Sequence, residues 1–129
     1  MVRELFMLTD RSKWNDPEYA KEHYEEILVD RIDSIATGNK EDEFTEKELT
    51  EILWEFKEVD REEGEDLRWV KPVTSIFELC GRFFAIDWYE GLTEYQSNEF
   101  YDQPYEVTKH TKQITVTEWV RVRKELKND

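Results

Sequence analysis

The residues in this chain with the clearest potential for chemistry are carboxylates next to a hydrophobic strand pattern. Asp87 lies within FAIDWYEG, and Glu90, Glu94 and Glu99 follow it closely. Carboxylate oxygens are the ligands that Mg²⁺ prefers, so this group could belong to a metal-dependent nuclease. The spacing alone therefore admits an enzyme hypothesis.

The strand pattern around Asp87 argues against that hypothesis. Phe84, Ile86 and Trp88 share one face of an alternating strand, which places Asp87 on the opposite face, in contact with water. The sequence contains no glycine-rich nucleotide motif, no Walker loop, no H-E-x-x-H and no C-x-x-C. It therefore favours a protein that is not an enzyme and needs no cofactor.

Sulfur and nitrogen ligands are also scarce. One cysteine and two histidines are too few for a typical zinc site, so no metal site is predicted. Cys80 lies at a predicted turn without an indicated catalytic partner, and His23 and His110 are expected to be ordinary surface residues. A single cysteine excludes an internal disulfide and fits a reducing cytoplasm.

A second set of carboxylates points to binding. Five glutamates recur at steps of 3, 4, 3 and 4 residues: Glu48, Glu51, Glu55, Glu58 and Glu62. These steps place them on one face of a helix. A separate apolar stripe would face the core: Leu49, Ile52, Leu53, Phe56 and Val59. The pattern predicts a helix from residue 45 to residue 63 with an acidic face.

The ends of this predicted helix carry recognisable signals. Thr45 and Glu48 fit a capping box, Phe44 and Leu49 fit a hydrophobic staple, and Gly64 is a natural stop. Such a helix would be about 28 Å long. Its eight acids would be about 3.5 Å apart along the axis, close to the roughly 3.4 Å phosphate spacing of one DNA strand.

The net charge restricts the kind of partner. The chain carries −14 in total, and residues 41–66 hold thirteen acids and three bases. Such a field repels nucleic acids and anionic membranes and attracts basic surfaces. The N-terminus has no apolar run long enough for a signal peptide or a membrane span, which predicts a soluble protein. The alternative is that the acidity serves solubility only.

Residues 93–106, TEYQSNEFYDQPYE, form a second candidate surface. Glu94, Tyr95, Glu99 and Tyr101 combine aromatic anchors with carboxylates that pair with Arg or Lys, as partner-binding patches do. The alternative is a loop whose rings close the edge of the core. Trp54 falls away from the apolar stripe on a helical wheel, which predicts partial exposure.

The helix and strand signals around these residues predict an α+β fold. We expect one domain, residues 1–129, in which residues 1–66 are acidic and mainly helical and residues 67–129 are mainly β. Asp16-Pro17 opens a first helix that ends at Gly38-Asn39. The two N-terminal acidic amphipathic helices would pack on an antiparallel sheet of about four strands. Candidate strands for this sheet are residues 2–8, for which a helical turn is the alternative, and residues 67–70, 73–79, 82–89, 105–108 and 113–122, with a hairpin turn at Cys80-Gly81.

The last third of the chain carries a resemblance. The run GRFFAIDWYEGLTEYQSNEFYDQPYEV, followed by KQITVTEWV, resembles small acidic accessory proteins encoded by phages and prophages of Gram-positive bacteria. The similarity covers roughly residues 76–122 and brings neither a catalytic motif nor residue roles. It implies a context in which such proteins inhibit host defence systems or host enzymes.

Charge and context together predict an inhibitor of the anti-CRISPR type. It would occupy the basic nucleic-acid-binding surface of a host protein in the bacterial cytoplasm, by DNA mimicry. The expected target is a CRISPR effector nuclease, or else a restriction enzyme. The alternative is a non-enzymatic structural or regulatory interaction protein of the phage, without DNA mimicry.

Overall fold

A computed structural model describes residues 7–122 and confirms the α+β class, with three α-helices and one antiparallel sheet. The helices are α1 (Pro17–Glu22), α2 (Tyr24–Ala36) and α3 (Glu46–Glu55). The strands are β1 (Glu58–Glu63), β2 (Val70–Leu79), β3 (Arg82–Gly91), β4 (Glu99–Phe100) and β5 (Tyr105–Val107). The predicted strand at residues 2–8 lies outside the described residues except for Met7 and Leu8, which belong to no strand.

The first predicted helix has the expected ends but is divided. The Asp16 carboxylate caps α1 by accepting from the backbone N–H of Glu18 at 3.0 Å. The chain leaves α2 through Gly38, whose φ of +98° suits a glycine. At His23 the backbone leaves the helical region, and its ring lies 4.4 Å from that of Tyr19. Helical periodicity alone did not indicate this break.

The second predicted helix begins as expected and ends early. Thr45 and Glu48 form both hydrogen bonds of the capping box. Phe56, however, is extended, and residues 58–63 form strand β1. The prediction of a helix to residue 63 is therefore wrong. Residues 58–63 contain a single apolar side chain, so a helix gains little packing there, whereas β2 offers a backbone partner along their whole length.

The sheet is built around a long hairpin. Strands β2 and β3 pair from Val70↔Gly91 to Leu79↔Arg82, and the turn residues Cys80 and Gly81 both have positive φ. That geometry is typical of two-residue hairpin turns and confirms the predicted turn. Strand β1 pairs with the free side of β2, while β4 and β5 both pair with the other side of β3. Residues 67–69 form a loop before β2 rather than a strand.

The core lies between one face of the sheet and helices α2 and α3. Phe84, Ile86 and Trp88 share this face, as predicted, and Trp88 Nε1 donates to Ser75 Oγ at 2.9 Å. Arg82 joins β3 to α2 through two hydrogen bonds to Asp33, at 2.6 and 2.9 Å. The other buried apolar residues of the core cluster are Leu28, Val29, Ile32, Phe44, Leu49, Ile52, Val73, Phe77 and Leu79.

The predicted strand over residues 113–122 does not form. These residues have no regular secondary structure and are exposed throughout. A strand needs a neighbour for its backbone groups, and none is paired with this segment in the described chain. Between residues 7 and 122, every helix is too short or too polar to cross a membrane.

Candidate partner-binding surface

The five glutamates predicted on one helix face lie on two different elements. Glu48, Glu51 and Glu55 lie on α3, whereas Glu58 and Glu62 lie on β1. The extended backbone at Phe56 separates the two groups. The continuous stripe predicted from the sequence is therefore not present, and each group has its own surroundings.

Glu48 has a structural role in the fold. Its carboxylate accepts hydrogen bonds from both terminal nitrogens of Arg31 on α2, at 2.5 and 3.3 Å, and closes the capping box. The Arg31 guanidinium also lies 3.9 Å from the centre of the Phe44 ring. The hydrogen bond from Arg31 holds the pKa of Glu48 below its usual value. Glu48 joins α3 to α2 and is poorly placed to bind a partner.

Glu51 and Glu55 have different surroundings. Both are exposed, and neither forms an ion pair within residues 7–122. Trp54, between them in sequence, is 85% exposed, which exceeds the partial exposure predicted from the helical wheel. An indole so far in water is unusual, because Trp is highly buried on average. The outer side of α3 thus combines one large aromatic ring with two carboxylates that have no ion-pair partner in the described part of the chain.

The charges on α3 act together on a neighbouring hydroxyl. Tyr24 of α2 packs against the core beside the C-terminus of α3. Its pKa is raised, first by burial and then by the negative charges of Glu51, Glu55 and Glu48. The three glutamates therefore all contribute negative charge near Tyr24, although Glu48 is already paired with Arg31.

On β1 the carboxylates surround a single arginine. Arg61 forms ion pairs with Glu90, with Glu63 at 3.0 Å and with Glu58 at 3.9 Å. Glu58 is accordingly part of a local ion-pair network rather than a free charge. Glu62 projects on the other face of the strand, where it is exposed and has no ion-pair partner in the described chain.

The loop after β3 has a defined shape. A Cβ atom at Gly91 would lie 2.1 Å from the backbone oxygen of Gln96, so only glycine allows the chain to fold back there. The Asn98 side chain accepts from the Gly91 N–H at 3.0 Å. Within this frame Tyr95 is 87% exposed, and Glu94 is exposed beside it.

The rest of the second candidate surface lies on β4 and in the residues that follow it. Glu99 is exposed on β4, opposite Tyr89 of β3, and Tyr101 lies against the Tyr89 ring with centroids 4.6 Å apart. The side chain of Gln103 binds the backbone of Phe44 twice, at 2.7 and 3.1 Å, and α3 contacts β4. The structure therefore places the end of this loop beside the start of α3.

Asp87 has a structural role on the sheet. It lies on the face opposite Phe84, Ile86 and Trp88, as predicted, but it is half-buried rather than free in water. It accepts from Thr74 Oγ1 at 2.5 Å and from the Tyr105 hydroxyl at 2.9 Å, which ties three strands together. Burial and then this hydrogen bond raise the pKa of Tyr105 to about 12. No group of three potential metal ligands occurs between residues 7 and 122.

Two further features were not anticipated from the sequence. The outer sheet face carries a groove of about 570 Å³, whose apolar side chains include Val59, Ile76, Phe83 and Val107. The period-two alternation of β2 was the available signal, because it turns Ile76 away from the core. Trp69 is half-exposed beside Leu92, whose N–H donates to the Trp69 carbonyl at 3.0 Å.

Comparison with known proteins identified no relative of this chain. No family model, no curated protein and no solved structure matches this chain. The resemblance to phage accessory proteins therefore stays a prediction, and a functional argument has to start from the surface itself.

Proposed function

We propose that this protein is a non-enzymatic binding protein that docks the outer side of α3 on a basic surface of another protein. One observation carries the proposal: Trp54 is 85% exposed, and the neighbouring Glu51 and Glu55 have no ion-pair partner in the described chain. We call Glu51, Trp54 and Glu55 the α3 surface.

The chemistry of the α3 surface suits an arginine-rich partner. A guanidinium over an indole ring gains about 0.5–2 kcal/mol, depending on how far both are removed from water. A free carboxylate beside the ring pairs with the same guanidinium through charge-assisted hydrogen bonds. Trp is also among the residues that dominate binding energy at protein interfaces. Trp54 is the anchor, and Glu51 and Glu55 supply the charge.

The overall charge defines the class of partner further. A net charge of −14 disfavours direct binding to nucleic acids or anionic membranes. It favours a partner that itself binds nucleic acid through Arg and Lys. We propose a nucleic-acid-binding protein of bacterial host defence, first of all a CRISPR effector nuclease in the cytoplasm, which this protein would inhibit.

The mode of inhibition differs from a long helical mimic of DNA. Helix α3 has ten residues and is about 15 Å long, roughly half the length over which charge spacing could imitate a phosphate row. The remaining acids lie on β1, in a different backbone geometry. This division favours a compact contact centred on Trp54. The same division argues against strict DNA mimicry and is equally compatible with the alternative, a phage structural or regulatory interaction protein.

The test compares two exposed tryptophans. Binding of target DNA by a purified CRISPR effector nuclease, and separately by a restriction enzyme, is measured with and without this protein. We expect inhibition by the wild type and at least tenfold weaker inhibition by Trp54→Ala. Trp69→Ala, at another exposed ring, should stay within twofold of wild type. Equal losses for both variants would exclude the α3 surface as the contact. No effect of the wild type on either enzyme would exclude the target class.

A further inference from the structure

The segment from residue 113 to residue 122 exposes more large apolar side chains than any other ten described residues. Five of them are between 75% and 95% exposed: Ile114, Val116, Trp119, Val120 and Val122. Apolar surface left in water forgoes roughly 25 cal/mol per Å² of burial energy. Contiguous exposed apolar surface of this kind marks an interaction site.

The sequence of this segment is that of a strand. In QITVTEWVRV, Ile114 and Val116 alternate with Thr115 and Thr117, and β-branched residues prevail. The backbone nevertheless forms no strand, because no neighbour is paired with it in the described chain. The segment therefore has the residues of a strand but no neighbouring strand to pair with in the described chain.

The sheet offers an edge for a strand at β1. One side of β1 pairs with β2 from Glu58 to Glu63, and its other side has no partner among residues 7–122. The opposite border of the sheet is formed by β4 and β5, which are only two and three residues long and offer a new strand a much shorter edge than β1 does. Strand β1 is six residues long, about 20 Å, which matches the length from Ile114 to Trp119.

The charges of the edge and of the segment are complementary. Strand β1 contains four acids and one arginine, for a net charge of −3. Residues 109–122 contain Lys109, Lys112 and Arg121 against Glu118, for a net charge of +2. Charged residues and the irregular pairing between Glu58 and Asp60 protect an edge strand against indiscriminate pairing. An acidic edge of this kind still admits a strand with basic flanks.

We propose that residues 113–122 of one copy of this chain add as a strand to the β1 edge of a second copy. Reciprocal exchange buries both segments and closes a symmetric dimer. Within one chain, residues 108–111 already line the outer-face groove together with Val59, Asp60 and Glu62 of β1. Residues 113–122 of that chain nevertheless leave the β1 edge unpaired, so we assign the edge to the segment of a second copy.

This dimer goes beyond the proposed function and is independent of it. The exchanged strand and the β1 edge contain none of the residues of the α3 surface. Glu62, which the sequence placed in the partner-binding stripe, belongs to the contact between copies instead. Failure of the dimer leaves the Trp54 experiment unaffected.

The test uses one substitution on each side of the contact. Size-exclusion chromatography with light scattering should find the wild type as a dimer at micromolar concentration. Val116→Pro removes a backbone donor from the exchanged strand, and the double variant Asp60→Lys, Glu62→Lys reverses the charge of the edge. Each variant alone should be a monomer. Glu94→Lys, an exposed charge change elsewhere, should stay a dimer.

Mixing the two monomeric variants tests directly whether the segment of one copy binds the edge of the other. The Val116→Pro copy keeps an intact edge and the edge variant keeps an intact segment, so the mixture should form a heterodimer with one working contact. All substituted positions are exposed, and unchanged thermal unfolding of each variant shows that the fold is retained. A monomeric wild type, or a Val116→Pro variant that remains dimeric, would overturn the proposal.

Discussion

Tyr24 of α2 and Phe56 after α3 stack with their ring planes 7° apart and their centroids 5.7 Å apart. Phe56 is the residue at which the backbone changes from helix to extended chain. The stack therefore lies at the end of α3, two residues before β1 begins. Phe56 is half-buried against the core cluster, whereas a fully buried ring was expected.

The first prediction concerns this stack. Phe56→Ala should lower the free energy of unfolding by about 2 kcal/mol, roughly half the loss typical of a fully buried phenylalanine. Chemical denaturation measures the change. Val59→Ala, at an exposed apolar position three residues on, should change stability by less than about 0.5 kcal/mol. Equal effects at both positions would mean that the stack does not hold the end of α3.

Local signals in the sequence predicted local structure well. Thr45 and Glu48 are three residues apart, and their capping box forms as expected. Cys80-Gly81 was identified as a turn because both flanking runs alternate, and the hairpin forms there. The end of α3 was missed because it depends on pairing between β1 and β2, whose partner residues are distant in sequence. Periodicity contains no information about that partner.

At the candidate site, too, the sequence predicted local features but not contacts between residues distant in sequence. The helical wheel placed Trp54 off the apolar stripe, and the ring is exposed. Glu48 has the same spacing as Glu51 but is paired with Arg31, which lies seventeen residues away in sequence. The sequence contains the charges but not their pairing, so it could not separate structural carboxylates from free ones.

The second prediction concerns pH and the Tyr105–Asp87 hydrogen bond. The pKa of Tyr105 is raised to about 12 from an ordinary value of 10. The folded state thus holds this proton more tightly than the unfolded state. The associated stability is fully present below pH 10 and is lost as the pH rises towards 12. Asp87→Asn removes the neighbouring charge and should lower the pKa of Tyr105.

Titration of tyrosinate absorbance measures this effect. The difference between the wild type and Tyr105→Phe isolates one phenol, and the same difference in the Asp87→Asn background should fall at lower pH. Tyr95→Phe, at an exposed ring, is the control. An unchanged Tyr105 titration in Asp87→Asn would show that the carboxylate does not hold the hydroxyl.

The third prediction separates a binding protein from a nuclease. Purified protein with Mg²⁺ or Mn²⁺ should cleave neither DNA nor RNA, because the Asp87 carboxylate already accepts hydrogen bonds from the hydroxyls of Thr74 and Tyr105. Asp87→Asn should leave partner binding intact. Gel assays with labelled substrates measure cleavage, and EDTA is the control for metal dependence. Turnover that requires metal and disappears in Asp87→Asn would establish an enzyme instead.

The last prediction tests the charges of the α3 surface. Glu51→Gln with Glu55→Gln keeps side-chain length and helix propensity and removes two like charges four residues apart. Relief of that repulsion should leave folding stability unchanged or raise it by about 0.2–0.5 kcal/mol. The pKa of Tyr24 should fall, because two of the charges that raise it are gone. Denaturation and tyrosinate titration measure these two effects.

Partner binding should change in the opposite direction. If α3 docks on a basic surface, the double variant should associate more slowly, and the dependence of its affinity on salt should become shallower. The matched control is Glu18→Gln with Glu22→Gln, which removes the same charge from α1, where neither glutamate forms an ion pair in the described chain. Association kinetics at low and high salt distinguish the two variants. Equal slowing of both would indicate that only net charge steers binding, and recognition would then have to be sought in the loop that carries Tyr95.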